Sequence, residues 1–332
     1  MKLPLVVRIL LWPLSQLYGM YARVRRALYE REWLKSRRLK AAVISIGNVT
    51  IGGTGKTPMV LWLAERFLAR GRRVGILSRG YKGAHGSSDE VELLKRRLGG
   101  KVVFGIGADR FASGSRLETQ QQIDVFLLDD GFQHLQLARD LDIVMVDGSR
   151  ELDKEWLLPA GSLREPISAC READILVVTR KAEGSAIKAL DSVAQPMFFA
   201  QTRLIGFHKF GFASETKDCV HLGPGPFVAF CGIGNPAAFF DDLNRWQVPI
   251  VEKKVFPDHH KYSSIELEQL QARSVACGAA GLVTTEKDAE NLPSLNVCFP
   301  IWIAVIDLVV DAERELLAAI DRKLSAGQGA AA

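Results

Sequence analysis

The sequence predicts an α/β fold: a mostly parallel sheet flanked by helices, followed by a smaller second α/β domain and preceded by an amphipathic helix. Three observations predict it. Short β-branched runs alternate with helical stretches, a glycine-rich turn joins the first run to its helix, and a basic, apolar segment comes before both.

That N-terminal segment is the first element. Residues 1–40 hold ten Lys or Arg against Glu30 and Glu32, a local balance of +8; the whole chain carries +5, which leaves −3 for the other 292 residues. A positive balance confined to one element implies a local anionic partner and argues against a nucleic-acid-binding surface. Leu3 to Leu14 is rich in apolar residues, but Arg8 interrupts it and no small-residue cleavage site follows. It also falls short of the roughly 20 apolar residues a membrane span needs. Instead Leu3, Val7, Leu10, Leu14, Leu17, Tyr21, Val24 and Leu28 recur at steps of four and three, one face of a helix within residues 1–38. Trp12, Tyr18 and Tyr21 add amphipathic rings, and Lys2, Arg8, Arg23, Arg25 and Arg26 supply cationic heads that can snorkel to lipid phosphates. Two readings stand: residues 1–28 lie on an anionic membrane surface, or this face packs on the protein's own core with Pro13 kinking the helix.

The strands come next. Runs at 42–46, 74–77, 102–104, 125–128, 143–146 and 175–178 are continuously apolar, as expected of parallel strands buried on both faces. They define a first domain at 39–196. Residues 197–225 alternate aromatic residues and run into Gly223-Pro224-Gly225-Pro226 at the domain boundary, which reads as a hairpin-like linker and hinge. The rhythm resumes at 227–231, 250–255, 281–284 and 301–305, giving a second domain at 226–332. Five scattered cysteines form no CxxC and no metal-ligand spacing, which reads as buried, reduced thiols in the cytosol with no structural zinc.

The most informative element is the turn after the first strand, Gly47-Asn48-Val49-Thr50-Ile51-Gly52-Gly53-Thr54-Gly55-Lys56-Thr57-Pro58. Strand, glycine loop and helix follow in the order of a P-loop, so the fold is P-loop NTPase-like. Asn48, Gly52, Gly53, Thr54, Gly55, Lys56 and Thr57 are the nucleotide-binding candidates: backbone N–H groups for phosphate oxygens, Lys56 for the β- and γ-phosphates of ATP, and Thr57 Oγ for Mg²⁺. The loop is irregular, because Thr50 stands where GxxxxGK[ST] has its first glycine. Ile51 stands where membrane-partitioning ATPases carry a lysine, which argues against that class.

Ile123 to Leu128 is a buried run that delivers Asp129 and Asp130 to its C-terminal end, the ligand edge of an open α/β sheet. This is the Walker B arrangement for Mg²⁺, and either aspartate can face the metal. Ser78-Arg79-Gly80-Tyr81-Lys82-Gly83 places Arg79 and Lys82 at the same edge, as phosphate ligands or as a plain basic turn. Ser88-Asp89-Glu90 opens a helix, where acids are favoured anyway. His259, beside Asp258 and ahead of the capping-box pair Ser263 and Glu266, is an oriented acid/base or a capped turn. Thr284-Thr285-Glu286-Lys287-Asp288 reads as a helix start.

Taken in order, GNVTIGGTGKTP, SRGYKG, DDGFQH, LPAGSLREP, CGIGNP, FPDHHKY and TTEKD resemble the tetraacyldisaccharide 4'-kinase family of lipid A biosynthesis, over about residues 40–290. The resemblance implies transfer of phosphate from ATP, with Mg²⁺, to the 4'-hydroxyl of a tetraacylated glucosamine disaccharide 1-phosphate, giving lipid IVA. It implies a peripheral enzyme at the cytoplasmic face of the bacterial inner membrane with no obligate protein partner. It also implies roles that spacing does not show. Asp89 matches the catalytic base and His259 its partner, contributed from two domains. Glu90, Asp129 and Asp130 match acids at the Mg²⁺ centre, and Arg79, Tyr81, Gln133, Arg164 and Glu165 match residues around the phosphates and disaccharide. The rival reading is a membrane-surface P-loop ATPase or GTPase switch without a sugar acceptor; a non-enzymatic membrane adaptor would have no need of Lys56, Asp129 and Asp130.

Overall fold

The computed structural model describes residues 4–80, 88–181, 188–191, 193–211, 219–223, 225–293 and 299–329. The chain forms two compact units, one from Met1–Arg79, Gly100–Gln201 and Val309–Ala332, the other from Gly80–Gly99 and Thr202–Leu308.

The first unit begins with α1 (Leu5–Glu30), which is amphipathic in the inverse of the usual sense. Its buried residues are Ser15, Gly19 and Arg26. Ser15 Oγ donates to Leu157 O (3.0 Å) and accepts from Ala160 N (3.1 Å). A Cβ on Gly19 would stand 2.5 Å from Leu157 Cδ1, so a larger residue there would have to push the Leu157 side chain aside. Arg26 pairs with Glu165 (2.6 Å) and Glu172 (2.8 Å) and lies over the Phe132 ring. The apolar face points away: Leu10 is 73% exposed, Leu14 53%, Leu17 57%, Tyr21 63% and Val24 52%. The reading in which this face packs on the protein's own core is therefore overturned.

The core of the unit is a parallel sheet of β1 (Ala42–Asn48), β2 (Val74–Ser78), β3 (Val103–Ile106), β4 (Val125–Asp129), β5 (Leu141–Asp147), β6 (Ile175–Thr179) and the start of β7 (Met197–Lys209). Its order is β3-β2-β4-β1-β5-β6-β7, and the pairs are parallel. The strands β2, β4, β5 and β6 are buried at every residue, as their continuous apolar runs require. Helices pack on the sheet, α2 (Lys56–Ala69) against β1 and β4 and α4 (Arg110–Gln120) against β2 and β3. The C-terminal α8 (Glu313–Gly329) joins this unit through Arg66–Glu313, Arg70–Asp321 and Lys323–Asp174 pairs.

The second unit has α3 (Asp89–Leu98), the end of β7, β8 (Phe227–Cys231), α5 (Pro236–Arg245), β9 (Ile250–Val255), α6 (Ser264–Ala276), β10 (Gly281–Thr285), α7 (Glu286–Ala289) and most of β11 (Ile301–Val310). Strands β11, β10, β8 and β9 lie side by side and pair in parallel.

These units differ from contiguous blocks at 39–196 and 226–332. Helix α3 belongs with the second unit because Arg97 makes a buried ion pair with Glu286 (3.0 Å) and α3 packs on α7. The expected linker at 197–225 opens as a 13-residue strand, with an antiparallel bridge from Phe207 to Val220. Among the cysteines, Cys170 and Cys231 are buried, but Cys277 is exposed.

Candidate functional site

In the first unit the chain leaves β1 at Asn48, curls, and enters α2 at Lys56. The positive φ angles fall on Gly52 (100°) and Gly55 (90°), a region where a side chain would be strained. Thr50 needs no glycine, because it bridges Leu163 as in an antiparallel strand and is buried. The departure from the usual pattern is thus accounted for: this part of the loop is extended, with Ile51 N donating to Ser162 O (2.7 Å) and Arg164 N to Val49 O (2.8 Å).

Loop carbonyls are occupied from outside: Arg180 Nη1 donates to Gly53 O (3.0 Å) and Thr179 Oγ1 to Thr54 O (3.2 Å). Within the loop, Asn48 Nδ2 donates to the Thr54 hydroxyl (3.0 Å). With carbonyls taken on one side, the N–H groups at the α2 N-terminus are left for an anion, the arrangement that binds phosphate. Asn48 is fully buried and ties the loop's start to its end, so it shapes the cradle rather than facing it. Gln133 does similar work, donating through Nε2 to Asn48 O (2.8 Å).

Asp129 ends β4 level with Ile46 of β1, and Asp130 follows with φ 52°. Gly47 permits that turn to close, since a Cβ there would meet Phe132 Cβ at 2.4 Å. Asp130 accepts two bonds from Arg164 Nη1 (2.8 and 2.9 Å) and lies 3.4 Å from Lys56 Nζ. Burial would raise its pKa, but Lys56 and Arg164 outweigh burial and hold the carboxyl below the usual carboxylate range. Thr57, Asp129 and Asp130 offer hard oxygens, a donor set that fits Mg²⁺. Glu165 is spent on Arg26 at 2.6 Å, which makes it the anchor of α1. Arg79 lies just past β2, and Tyr81 and Lys82 lie outside the described residues.

In the second unit Asp89 begins α3 and is buried, with Ser88 as N-cap. His259 Nδ1 lies 2.9 and 3.0 Å from its two oxygens, and Asn291 Nδ2 donates to Oδ2 (3.3 Å). The Asp–His pair is therefore formed inside one unit and not contributed from two. Burial alone would raise the Asp89 pKa; bonds with His259 and Glu90 and the nearby Lys287 push it well below its ordinary value. The hydrogen bond to Asp89 raises the His259 pKa against the lowering effect of burial. His259 adopts φ 60° and donates its N–H to Gly232 O (2.9 Å). Asp288 braces the same loop, accepting from Gly232 N and Tyr262 Oη (both 2.7 Å). His260 belongs to the cap instead, 3.0 Å from Glu266.

Ligand atoms of Asp89, Glu90 and His259 lie within 4.8 Å of one another, close enough to share a cation. Lys287 Nζ already stands 2.7 Å from Glu90, 3.8 Å from Asp89 and 3.9 Å from Asp258. An ammonium thus compensates this acid cluster, and Glu90 falls in a different unit from Thr57, Asp129 and Asp130.

The sequence alone reads Lys287 only as part of a helix start, and it does not single out Asn291, nor Asp147, Thr179 and Arg180 around the loop. Asp147 and Thr179 end strands β5 and β6 and Arg180 follows directly; position at the ligand edge of a parallel sheet was the signal that could have found all three.

The sequence model of the tetraacyldisaccharide-1-P 4'-kinase family matches residues 7–325. Similar proteins include the tetraacyldisaccharide 4'-kinases of Pelobacter propionicus, 37% identical over 93% of this chain and 92% of theirs, and of Geobacter sulfurreducens, 38% identical with the same coverage. A crystal structure of LpxK from Aquifex aeolicus in complex with ATP matches with TM-score 0.76 and 30% identity, covering 96% of this chain and 99% of that one.

Proposed function

The chain belongs to the tetraacyldisaccharide 4'-kinase family, and from that premise we propose how its residues divide the reaction at a membrane surface. The activity is ATP-dependent phosphorylation of the 4'-hydroxyl of a tetraacyldisaccharide 1-phosphate, a step of lipid A biosynthesis. Phosphoryl transfer rests mainly on positioning and charge neutralisation. The loop from Gly52 to Thr57 holds the phosphates, and Lys56 neutralises the group in transfer. Thr57, with Asp129 or Asp130, would hold Mg²⁺, which would supply charge neutralisation for the phosphates. Arg164 and Lys56 keep Asp130 ionised for that role. Asp89 takes the proton of the acceptor hydroxyl, and His259 orients it and shares the proton. Arg79, Gln133 and Tyr81 serve the phosphates and sugar.

The observation that carries this division is the backbone cradle at the α2 N-terminus with Lys56 3.4 Å from Asp130. Its test is transfer of labelled phosphate from ATP to purified tetraacyldisaccharide 1-phosphate with Mg²⁺ in detergent. No transfer overturns the reading, and nucleotide hydrolysis indifferent to the glycolipid would favour the switch.

The same proposal places the protein peripherally on the cytoplasmic face of the inner membrane, without an obligate protein partner. No helix among the described residues is long and apolar enough to cross a membrane. Support comes from α1, which buries its polar side and exposes its apolar one. Taking four acyl chains out of a bilayer costs about 0.8 kcal/mol per CH₂ exposed, so an enzyme acting on such a lipid gains by coming to the interface. Vesicles of anionic lipid should sediment the intact chain and leave a Leu10→Asp, Leu14→Asp variant in solution; equal sedimentation would count against α1 as the anchor.

A further inference from the structure

Arg25 and Arg26 stand side by side on α1, and the sequence reads both as cationic heads for lipid phosphates. The structure turns both onto the turn that follows β4. Arg25 Nη1 donates to Gln133 O (3.1 Å) and Arg26 Nη2 to Phe132 O (3.5 Å), so two successive guanidiniums take two successive carbonyls. Within the turn, His134 N donates to Gly131 O (2.8 Å), one carbonyl earlier. Carbonyls that sit outside a sheet ladder still need donors, and a guanidinium is a strong one. Arg26 is committed further, to Glu165 and Glu172, and anchors the helix. Arg25 lies over the Tyr29 ring, one turn along α1 (5.5 Å). Its charge is felt inside the turn: His134 is held at about 4, first by burial and then by Arg110, Arg139 and Arg25.

The turn so gripped belongs to the phosphate site. Gly131 N donates to Ile46 O of β1 (3.2 Å), which pins one end, just after Asp130 with its φ of 52°. Gln133 forms the other end, and its side chain spans two parts of the site. Its Nε2 donates to Asn48 O (2.8 Å), and its Oε1 accepts from Arg164 Nη1 (3.4 Å), the atom that also bonds Asp130 (2.8 Å). A displaced Gln133 backbone would therefore disturb the start of the phosphate loop and the partner of Asp130 together.

We propose that Arg25 is a positioning residue for the phosphate site: from α1 it fixes the Gln133 backbone, and through Gln133 it holds Asn48 and the Arg164–Asp130 pair in place. The helix that turns its apolar stripe outward thus secures part of the nucleotide site with its opposite flank. The inference rests on the reading of the loop and Asp130 as the ATP site. Its readout is ATP binding without acceptor, so a chain that binds ATP with the help of Arg25 yet transfers nothing would sink the kinase reading alone.

The test compares full-length Arg25→Met, which removes the donor and the charge, with Arg25→Lys, which keeps both at shorter reach. Ser15→Ala is the control for a loosened helix, because it releases α1 from Leu157 and Ala160 without touching Gln133. Calorimetry with ATP and Mg²⁺ gives the affinity, and sedimentation with phosphatidylglycerol vesicles gives the membrane binding. Arg25→Met should weaken ATP binding about tenfold, the scale of one lost charge-assisted hydrogen bond, with sedimentation unchanged. Arg25→Lys should recover part of the loss, and Ser15→Ala should bind ATP as wild type does. A folded Arg25→Met with wild-type ATP affinity overturns the proposal, and reduced sedimentation in that variant would return Arg25 to the lipid phosphates. Equal loss of ATP affinity in Ser15→Ala also overturns it, since Arg25 would then serve only to pack α1. Should Arg25→Met not fold, Arg25→Lys decides: ATP binding weakened severalfold supports the proposal, and wild-type affinity overturns it.

Discussion

The phosphate loop takes its working atoms from a run of ten residues, Asn48 to Thr57, most of them backbone groups, whereas the Asp89 cluster gathers side chains from Asp89, His259, Lys287 and Asn291, up to 202 positions apart in the chain. The loop binds through geometry that glycines and a helix end impose locally. The cluster binds and titrates through charges that only tertiary packing brings together. Substitutions in the loop should therefore cost nucleotide binding and transfer together, while those in the cluster should cost transfer alone and change its response to pH.

The largest effect is expected from Lys56→Ala. Loss of a cation at the transferring phosphoryl group should lower kcat/KM by about 10⁴ in the labelled-phosphate assay. Activity within tenfold of wild type would break the distinction. Asp89→Asn comes next, with kcat down by about 10³, the scale of a missing general base, and ATP affinity kept. If ATP affinity falls in parallel, Asp89 belongs with nucleotide binding.

Arg26→Ala tests stability. Both partners of the Arg26–Glu165 pair are over nine-tenths buried, and leaving Glu165 unpaired should cost about 3–5 kcal/mol in denaturant unfolding. Glu165→Leu with Arg26→Leu should recover most of it. A single variant as stable as wild type would show that α1 needs no anchor there.

The smallest effect concerns pH. His259 has a raised pKa in the fold, so its stabilising bond with Asp89 is fully present below the ordinary histidine value of 6.5. That stability is lost as pH rises through the higher folded value. Asp89 has a lowered pKa, so its share is present above the ordinary value of 3.8 and is lost as pH falls through the lower folded one. The difference in melting temperature between wild type and His259→Gln should be greatest between those limits and shrink as pH rises past neutrality. A difference independent of pH would mean that the pair is not charged.

How much of this was legible follows the same division. The strands were readable because strands buried on both faces write continuous apolar runs, and the loop was readable because glycine, lysine and threonine act where they stand. The transfer of α3 to the second unit was not readable, since nothing local records that Arg97 will meet Glu286. Lys287 was in view as part of TTEKD, yet helix-start chemistry explains that string equally well until Glu90 is seen 2.7 Å away. Glu165 stood beside Arg164, and sequence could not tell that one reaches Asp130 and the other Arg26.

The outward apolar stripe of α1 also sets how the protein can be handled. Water offers that stripe nothing to pack on except another copy of itself, and its own unit cannot fold over it, because Ser15, Gly19 and Arg26 occupy the inner side. Concentrating the chain in plain buffer should drive reversible self-association through residues 5–24, and a mild detergent should dissolve the aggregates without changing the fold. The solubility of this protein is accordingly a property of one helix and of the solvent it is given.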